Sequence, residues 1–179
     1  MSDALLIELC KQNNRQAQLT LYDKYYKGMF AVACRYLPQS DAAEDAMQDS
    51  FIKAFQKLSQ YNGEVTFGSW LKRIVINTCL DELKARKLET EEISDASLMA
   101  VYDDSIEVEE DVTVDQIKQA LEMLTGIKKT ILKLFLFEGY DHEEISEILA
   151  ISISASRTYL HRGKKELLDQ LKGVVYERC

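Results

Sequence analysis

The chain has 179 residues and a formal net charge of −8, a length that suits one domain or two small ones. It holds no run of about 18 apolar residues, so no membrane insertion is expected, and its start, MSDALLIELCKQ, lacks the basic segment and cleavage site of a signal peptide. The four cysteines, Cys10, Cys34, Cys79 and Cys179, share no C-x-x-C spacing and read as reduced cytosolic thiols rather than a zinc site.

A single proline and the scarcity of alternating β-branched runs predict an all-helical protein. Ala4–Lys11 reads as a short amphipathic helix. Gln16–Leu37 follows as a core helix, with Tyr22, Tyr25, Tyr26, Met29, Phe30, Ala33, Tyr36 and Leu37 on its buried face. Pro38 and Ser40 end that helix and start the next, Ser40–Leu58. Met47, Phe51, Ala54, Phe55 and Leu58 form its core face. A second face carries Asp45, Gln48, Asp49 and Ile52, an acidic ridge with an unplaced apolar residue, suited to docking a basic helical partner. A turn at Asn62-Gly63 precedes a helix from Thr66 or Phe67 to about Arg86. Phe67, Leu71, Ile74, Val75, Ile76, Cys79, Leu80 and Leu83 make that helix apolar on several sides. One stripe differs: Trp70, Arg73, Asn77, Asp81 and Lys84 share a face. A ring, an amide and cations on one ridge can stack on bases and hold phosphates.

Residues 88–112 have no sustained helical period and read as an acidic linker. The charge is strongly segregated: net +2 over residues 1–88, −11 over 89–115 and +1 over 116–179. The acidic total therefore does not exclude nucleic acid as a partner. A second domain begins near Val114, with helices Val114–Leu124 and Ile127–Glu138 and a break at Gly139-Tyr140. Ile127, Ile131, Leu134 and Phe135 form the second helix's core face. Asp141 can cap a short helix carrying Ile145, Ile148 and Leu149. Ala150-Ile151-Ser152 makes a tight turn, and Ser152 can cap a last helix to about Leu171. In it Ile153, Leu160, Leu167 and Leu171 share one side. Ser154, Arg157, Thr158, His161 and Lys165 share the other, flanked by Arg162. This is the pattern of a helix-turn-helix whose last helix enters a major groove.

The chain thereby resembles an extracytoplasmic-function sigma factor of the sigma-70 family. The resemblance spans DAAEDAMQDSFIKAFQKL, FGSWLKRIVINTCLDELKARK and GYDHEEISEILAISISASRTYLHRGKKEL, in that order. It implies a region 2 domain at 1–87, the linker at 88–112 and a region 4 domain at 113–179. The implied role is an RNA polymerase subunit that directs promoter recognition, DNA melting and transcription initiation. Asp45, Gln48, Asp49 and Ile52 lie where the family grips the beta-prime coiled coil of core polymerase. Tyr61, Asn62, Phe67, Ser69, Trp70, Arg73, Asn77, Lys84, Arg86 and Lys87 lie where it opens and holds the −10 element. Ser154, Arg157, Thr158, His161, Arg162 and Lys165 lie where it reads the −35 element. The implied partners are core polymerase, including the beta flap, promoter DNA and an anti-sigma factor, and the implied location is the cytoplasm.

The chain departs from the family pattern at four places. Ala150 stands where a turn glycine is common, Ser156 where a β-branched residue is common, Gly163 where alanine is common, and Leu124-Thr125 where Leu-Pro is common. Ser156 falls on the buried side of its helix, so looser packing is expected there. No Gly-rich phosphate loop, metal cluster or nucleophile–histidine pair occurs, so no cofactor and no enzyme activity are expected. The competing reading is a helix-turn-helix regulator that binds duplex DNA without joining polymerase. It leaves the Trp70–Asn77 face without a purpose.

Overall fold

The computed structural model describes residues 2–88 and 113–176, with side chains through 85 and 171. The chain forms two compact units, Met1–Ile93 and Ser94–Cys179. Every regular element among the described residues is helical. The expected linker lies outside the described residues, except Leu88, which ends a helix.

The first unit contains α1 (Asp3–Lys11), α2 (Arg15–Tyr36), α3 (Ser40–Gln56) and α4 (Phe67–Leu88). A short 3-10 turn, Leu58–Gln60, follows α3. Asn13 turns the chain with φ +58, a left-handed conformation that Asn tolerates. Asn14 then caps α2 by accepting the Ala17 N–H at 3.0 Å. Asp3 accepts from Lys24 and from the Tyr25 hydroxyl, which ties α1 to α2.

The buried face of α2 is Ala17, Leu21, Met29, Val32, Ala33 and Tyr36, and the expected Tyr22, Tyr25 and Tyr26 are half-buried. Leu21 takes the fully buried position instead. Leu37 turns extended before Pro38, whose ring disfavours a helical conformation there. The residue before α3 is Gln39, and neither it nor Ser40 supplies a side-chain cap. Helix α3 ends at Gln56, so the expected run to Leu58 is shorter; Leu58 enters the core from the 3-10 turn.

Leu71, Val75, Ile76, Cys79 and Leu80 of α4 are buried, packed against α2 and α3. Each large side chain sealed in this way contributes about 1.5–3 kcal/mol before entropy. Ile74 and Leu83, expected in the core, are half-buried. A polar crosslink joins α3 to α4, with Lys53 Nζ 3.2 Å from Thr78 Oγ1.

The second unit contains α5 (Val114–Met123), α6 (Gly126–Leu136), α7 (His142–Leu149) and α8 (Ile153–Tyr176). Two capping boxes fix helix starts, Thr113 with Gln116 and Asp141 with Glu144. Helix α8 packs on α5, α6 and α7 and runs past the expected Leu171. Its Gly163 permits a close approach to α6: a Cβ there would lie 3.0 Å from Leu132 Cδ1. Lys133 is buried on α6, and its ammonium meets Glu122 of α5 at 2.9 Å. Burial lowers the Lys133 pKa, and the Glu122 hydrogen bond opposes that shift. The pair links α5 to α6.

The tight turn between α7 and α8 is made by Ala150 at φ +54, with the Ile151 N–H donating to the Ser146 carbonyl at 3.1 Å. An L-residue with a Cβ costs about 1–2 kcal/mol in this region of backbone space. Ala150→Gly should therefore raise the stability of the second unit by about 0.5–1 kcal/mol after the loss of unfolded-state restriction. Denaturant unfolding of the full chain, followed by hydrogen exchange in α7, measures this. An unchanged or lowered value would show that the turn carries no strain.

Candidate nucleic-acid interface

The entry to α4 is shaped by short-range hydrogen bonds. Asn62 Oδ1 accepts the Glu64 N–H at 3.1 Å, Gly63 turns the chain at φ +81, and the Tyr61 hydroxyl donates to the Val65 carbonyl at 2.7 Å. Thr66 then caps the helix, its Oγ1 accepting the Ser69 N–H at 3.2 Å. This loop delivers Tyr61 to the rings of α4. Tyr61 and Trp70 lie 5.3 Å apart, Phe67 and Trp70 5.7 Å, and Tyr61 meets Phe67 edge-on at 5.8 Å. Behind them Tyr25 meets Phe67 edge-on at 5.4 Å. Burial, then the Asp3 hydrogen bond, push the Tyr25 phenol up to about 12, so it stays a donor. Ring pairs at these separations add about 0.5–1.5 kcal/mol each beyond burial. Trp70 is thus held on one side and half-open on the other.

Along α4 and the loop before it, Asn62, Ser69, Asn77 and Lys84 are exposed, and Tyr61 and Arg73 are half-buried. Phe67 is buried, as its place in the apolar pattern of α4 predicts, and departs from the DNA contact that the resemblance implies. It is only 2% exposed, sealed by the three neighbouring rings, so it supports Trp70 and cannot itself meet a base. The side chains of Arg86 and Lys87 lie outside the described residues. On α3, Asp45, Gln48, Asp49 and Ile52 are all exposed, and Ile52 presents 55% of its surface. Ser50 is buried on the opposite side of the helix and donates back to the Ala46 carbonyl.

In the second unit, the Ser152 hydroxyl caps α8 by accepting the Ala155 N–H at 3.0 Å. Ser154, Arg157 and Lys165 are exposed on α8, and His161 and Arg162 are half-buried. Thr158 is a correction. It is buried, and its hydroxyl donates to the Ser154 carbonyl at 2.9 Å, so it does not face outward. Ile153, expected on the buried side, is 38% exposed. At the start of the helix Ala155 and Ser156 pack inward in place of Ile153, while Leu160, Leu167 and Leu171 are buried as expected.

Ser156 is fully buried, and its hydroxyl lies 2.9 Å from His142 Nδ1. The looser packing expected at this position is replaced by a hydrogen bond. The His142 ring stacks on Phe135 at 5.6 Å, and the Lys164 ammonium lies 5.4 Å from the centre of the same Phe135 ring. Burial first, then the Arg157 charge, lower the His142 pKa; Asp141 opposes and Lys164 adds to the shift. His142 belongs to none of the stripes that helical periodicity defines. The available signal was a serine on an otherwise apolar helix face, which required a buried partner.

Comparison with known proteins bears on both units. The family Sigma-70 region 2 matches residues 21–89, and Sigma-70, region 4 matches residues 115–167. The RNA polymerase sigma factor YlaC of Bacillus subtilis is 30% identical, over 82% of this chain and 87% of its own. The chain belongs to the sigma-70 family of RNA polymerase sigma factors. Its relatives place it in the extracytoplasmic-function group, and it acts in promoter recognition and transcription initiation. The RNA polymerase sigma-H factor of Pseudomonas aeruginosa is 25% identical over 98% of this chain and 96% of its own. The fold is shared with a solved sigma factor, RpoE of Bartonella quintana in complex with the anti-sigma factor NepR, at TM-score 0.58 and 21% identity over 86% of this chain and 95% of that one. The reading as a plain helix-turn-helix regulator gains nothing from these matches, because region 2 occupies the first unit of this sigma factor. No helix among the described residues is long and apolar enough to cross a membrane.

The lowered His142 pKa sets a pH dependence. The unfolded chain protonates this histidine near pH 6.5 and the folded one only at lower pH, so the unfolded state binds more protons in between. The stabilisation is complete above the unfolded value and is lost as pH falls through the folded value. Thermal unfolding of the sigma factor, with hydrogen exchange read in α7 and α8, should show the second unit weakening from about pH 7 to pH 5. His142→Gln should flatten that slope. An equal slope in the variant would assign it to other groups.

Proposed function

We propose that residues 1–87 bind core polymerase and open the −10 element, that residues 113–179 read the −35 element, and that residues 88–112 tether the two. The observation that carries the first assignment is the half-open Trp70, braced by Tyr61 and Phe67, with Asn62, Ser69 and Asn77 exposed on the same loop and helix. An unstacked base needs a rigid ring on which to stack and polar groups for its edge. A ring already held by its neighbours loses little freedom when the base arrives. Lys84 and Arg73 supply positive charge along the same helix, and Arg86 and Lys87 continue it in sequence.

The exposed Asp45, Gln48, Asp49 and Ile52 suit a basic helical partner, and we assign that ridge to the beta-prime coiled coil of polymerase. An apolar residue set among carboxylates supplies contact area, and the charges supply orientation and rate. Arg157, Ser154, His161, Arg162 and Lys165 form the −35 face of α8. The beta flap is the expected partner of the second unit. By analogy with the Bartonella complex, an anti-sigma factor is a further partner. The protein acts in the cytoplasm with polymerase, which supplies the catalysis, and the sigma factor itself is no enzyme.

Reconstituted transcription with core polymerase tests these roles. Trp70→Ala should abolish most strand opening, read by permanganate reactivity of unpaired thymines, and leave polymerase binding nearly intact. Equal loss of both would remove the assigned role. Asp49→Lys with Ile52→Ala should do the reverse, weakening polymerase binding at least about tenfold, the equivalent of 1.4 kcal/mol. Arg157→Ala should cost about 1–3 kcal/mol at one base pair of the −35 element. A loss spread evenly over all sequences would mark Arg157 as a phosphate contact.

A further inference from the structure

The start of α8 carries Arg157 but little apolar anchoring. Ile153 and Ser154 are exposed, and the side chains that face inward are small: Ala155, Ser156 and Thr158. The first large buried anchor is Leu160. Burial of small side chains gives little energy and almost no preference for one rotation of the helix over a neighbouring one. A directional contact holds the rotation of these first turns more tightly than such burial does.

The hydrogen bond between Ser156 and His142 has that property. Ser156 is fully buried, so its hydroxyl has no water to exchange for the imidazole. Its partner is itself immobilised. His142 is the first residue of α7, directly after the Asp141 capping box, and its ring rests on Phe135 of α6. Lys164, two turns further along α8, reaches the same Phe135 ring. One aromatic side chain of α6 therefore registers both α7 and α8. Arg157 follows Ser156 directly in the helix. A rotation of α8 that broke the Ser156 bond would swing Arg157 by the same angle.

We propose that His142 and Ser156 form a hydrogen-bonded latch that fixes the rotation of α8 on α7 and so aims Arg157, which makes His142 a positioning residue for promoter discrimination. The inference rests on the reading of α8 as the −35 recognition helix. It predicts that base preference depends on a pair of side chains that touch no DNA. The latch uses a polar pair where an apolar contact would tolerate small rotations, because a hydrogen bond weakens steeply as its angle degrades.

The test uses the full-length sigma factor assembled with core polymerase and a promoter duplex randomised over the −35 element, with bound sequences counted. The variants are Arg157→Ala, His142→Ala, Ser156→Ala, the double variant and His142→Asn, whose amide can take the place of Nδ1. Ser156→Ala is nearly isosteric and favours helix, so it keeps the fold, and circular dichroism checks the rest. Arg157→Ala identifies the base pair that this residue reads. At that base pair, His142→Ala and Ser156→Ala should each reduce enrichment about fivefold or more, the lower range for one lost base contact. The double variant should lose no more than either single one, and His142→Asn should retain the preference. A helix that was merely less stable would lose occupancy at every sequence alike. If Arg157→Ala erases a preference that His142→Ala and Ser156→Ala keep, the latch is overturned and the recognition helix stands. If Arg157→Ala changes no preference, the assignment of Arg157 as a base reader falls, and the latch falls with it.

Discussion

Phe67 is pinned between the rings of Tyr25, Tyr61 and Trp70, and the first unit is arranged around that contact. It connects α2, the loop before α4 and the first turn of α4. Asp3 extends the same set through its hydrogen bond to Tyr25, so even the first helix bears on the position of Trp70. The consequence is an aromatic surface that is rigid before any ligand arrives. Stacking a base on such a surface releases binding free energy that a mobile ring would spend on its own ordering.

The second unit solves a related problem with different chemistry. Its α8 carries Arg157 and Lys165 exposed, yet its first turns hold only small inward side chains. Apolar packing dominates further along, at Leu160, Leu167 and Leu171, where Gly163 lets α8 approach α6 closely. Near the turn, polar groups take over. The Asp141 capping box starts α7, the Ser152 cap starts α8, and the His142–Ser156 bond links them. Both units therefore use hydrogen bonds to set direction and burial to supply energy.

The segregation of charge has a functional logic in a sigma factor. Residues 89–115 carry a net −11 and the flanking segments are slightly positive. Summed over the chain the protein is acidic, but each unit can present a face of positive potential locally. Ionic interactions decay over roughly 8–10 Å at moderate salt, so local charge and not the total decides which surface attracts phosphate.

The sequence alone determined the helix boundaries to within a few residues, the two helical segments of the chain, the turn at Ala150, the capping residues Asp141 and Ser152, and the outward ridge on α3. These are local properties: periodicity, caps and turn chemistry act over a few residues and can be read without knowing the neighbours. The family resemblance was legible for the same reason, since its motifs are contiguous. Tertiary structure alone decided which members of a ridge were available. Thr158 sits at a position that a helical wheel leaves open but turns inward against its own helix, and Phe67, to which the family resemblance gives a DNA contact, is sealed by three rings. Leu21, rather than Tyr22, Tyr25 and Tyr26, lies in the core of α2, and Ser156 found His142 fourteen residues away. Side-chain partnership across elements depends on helix rotation and close approach, and those are set by the packing of the whole unit.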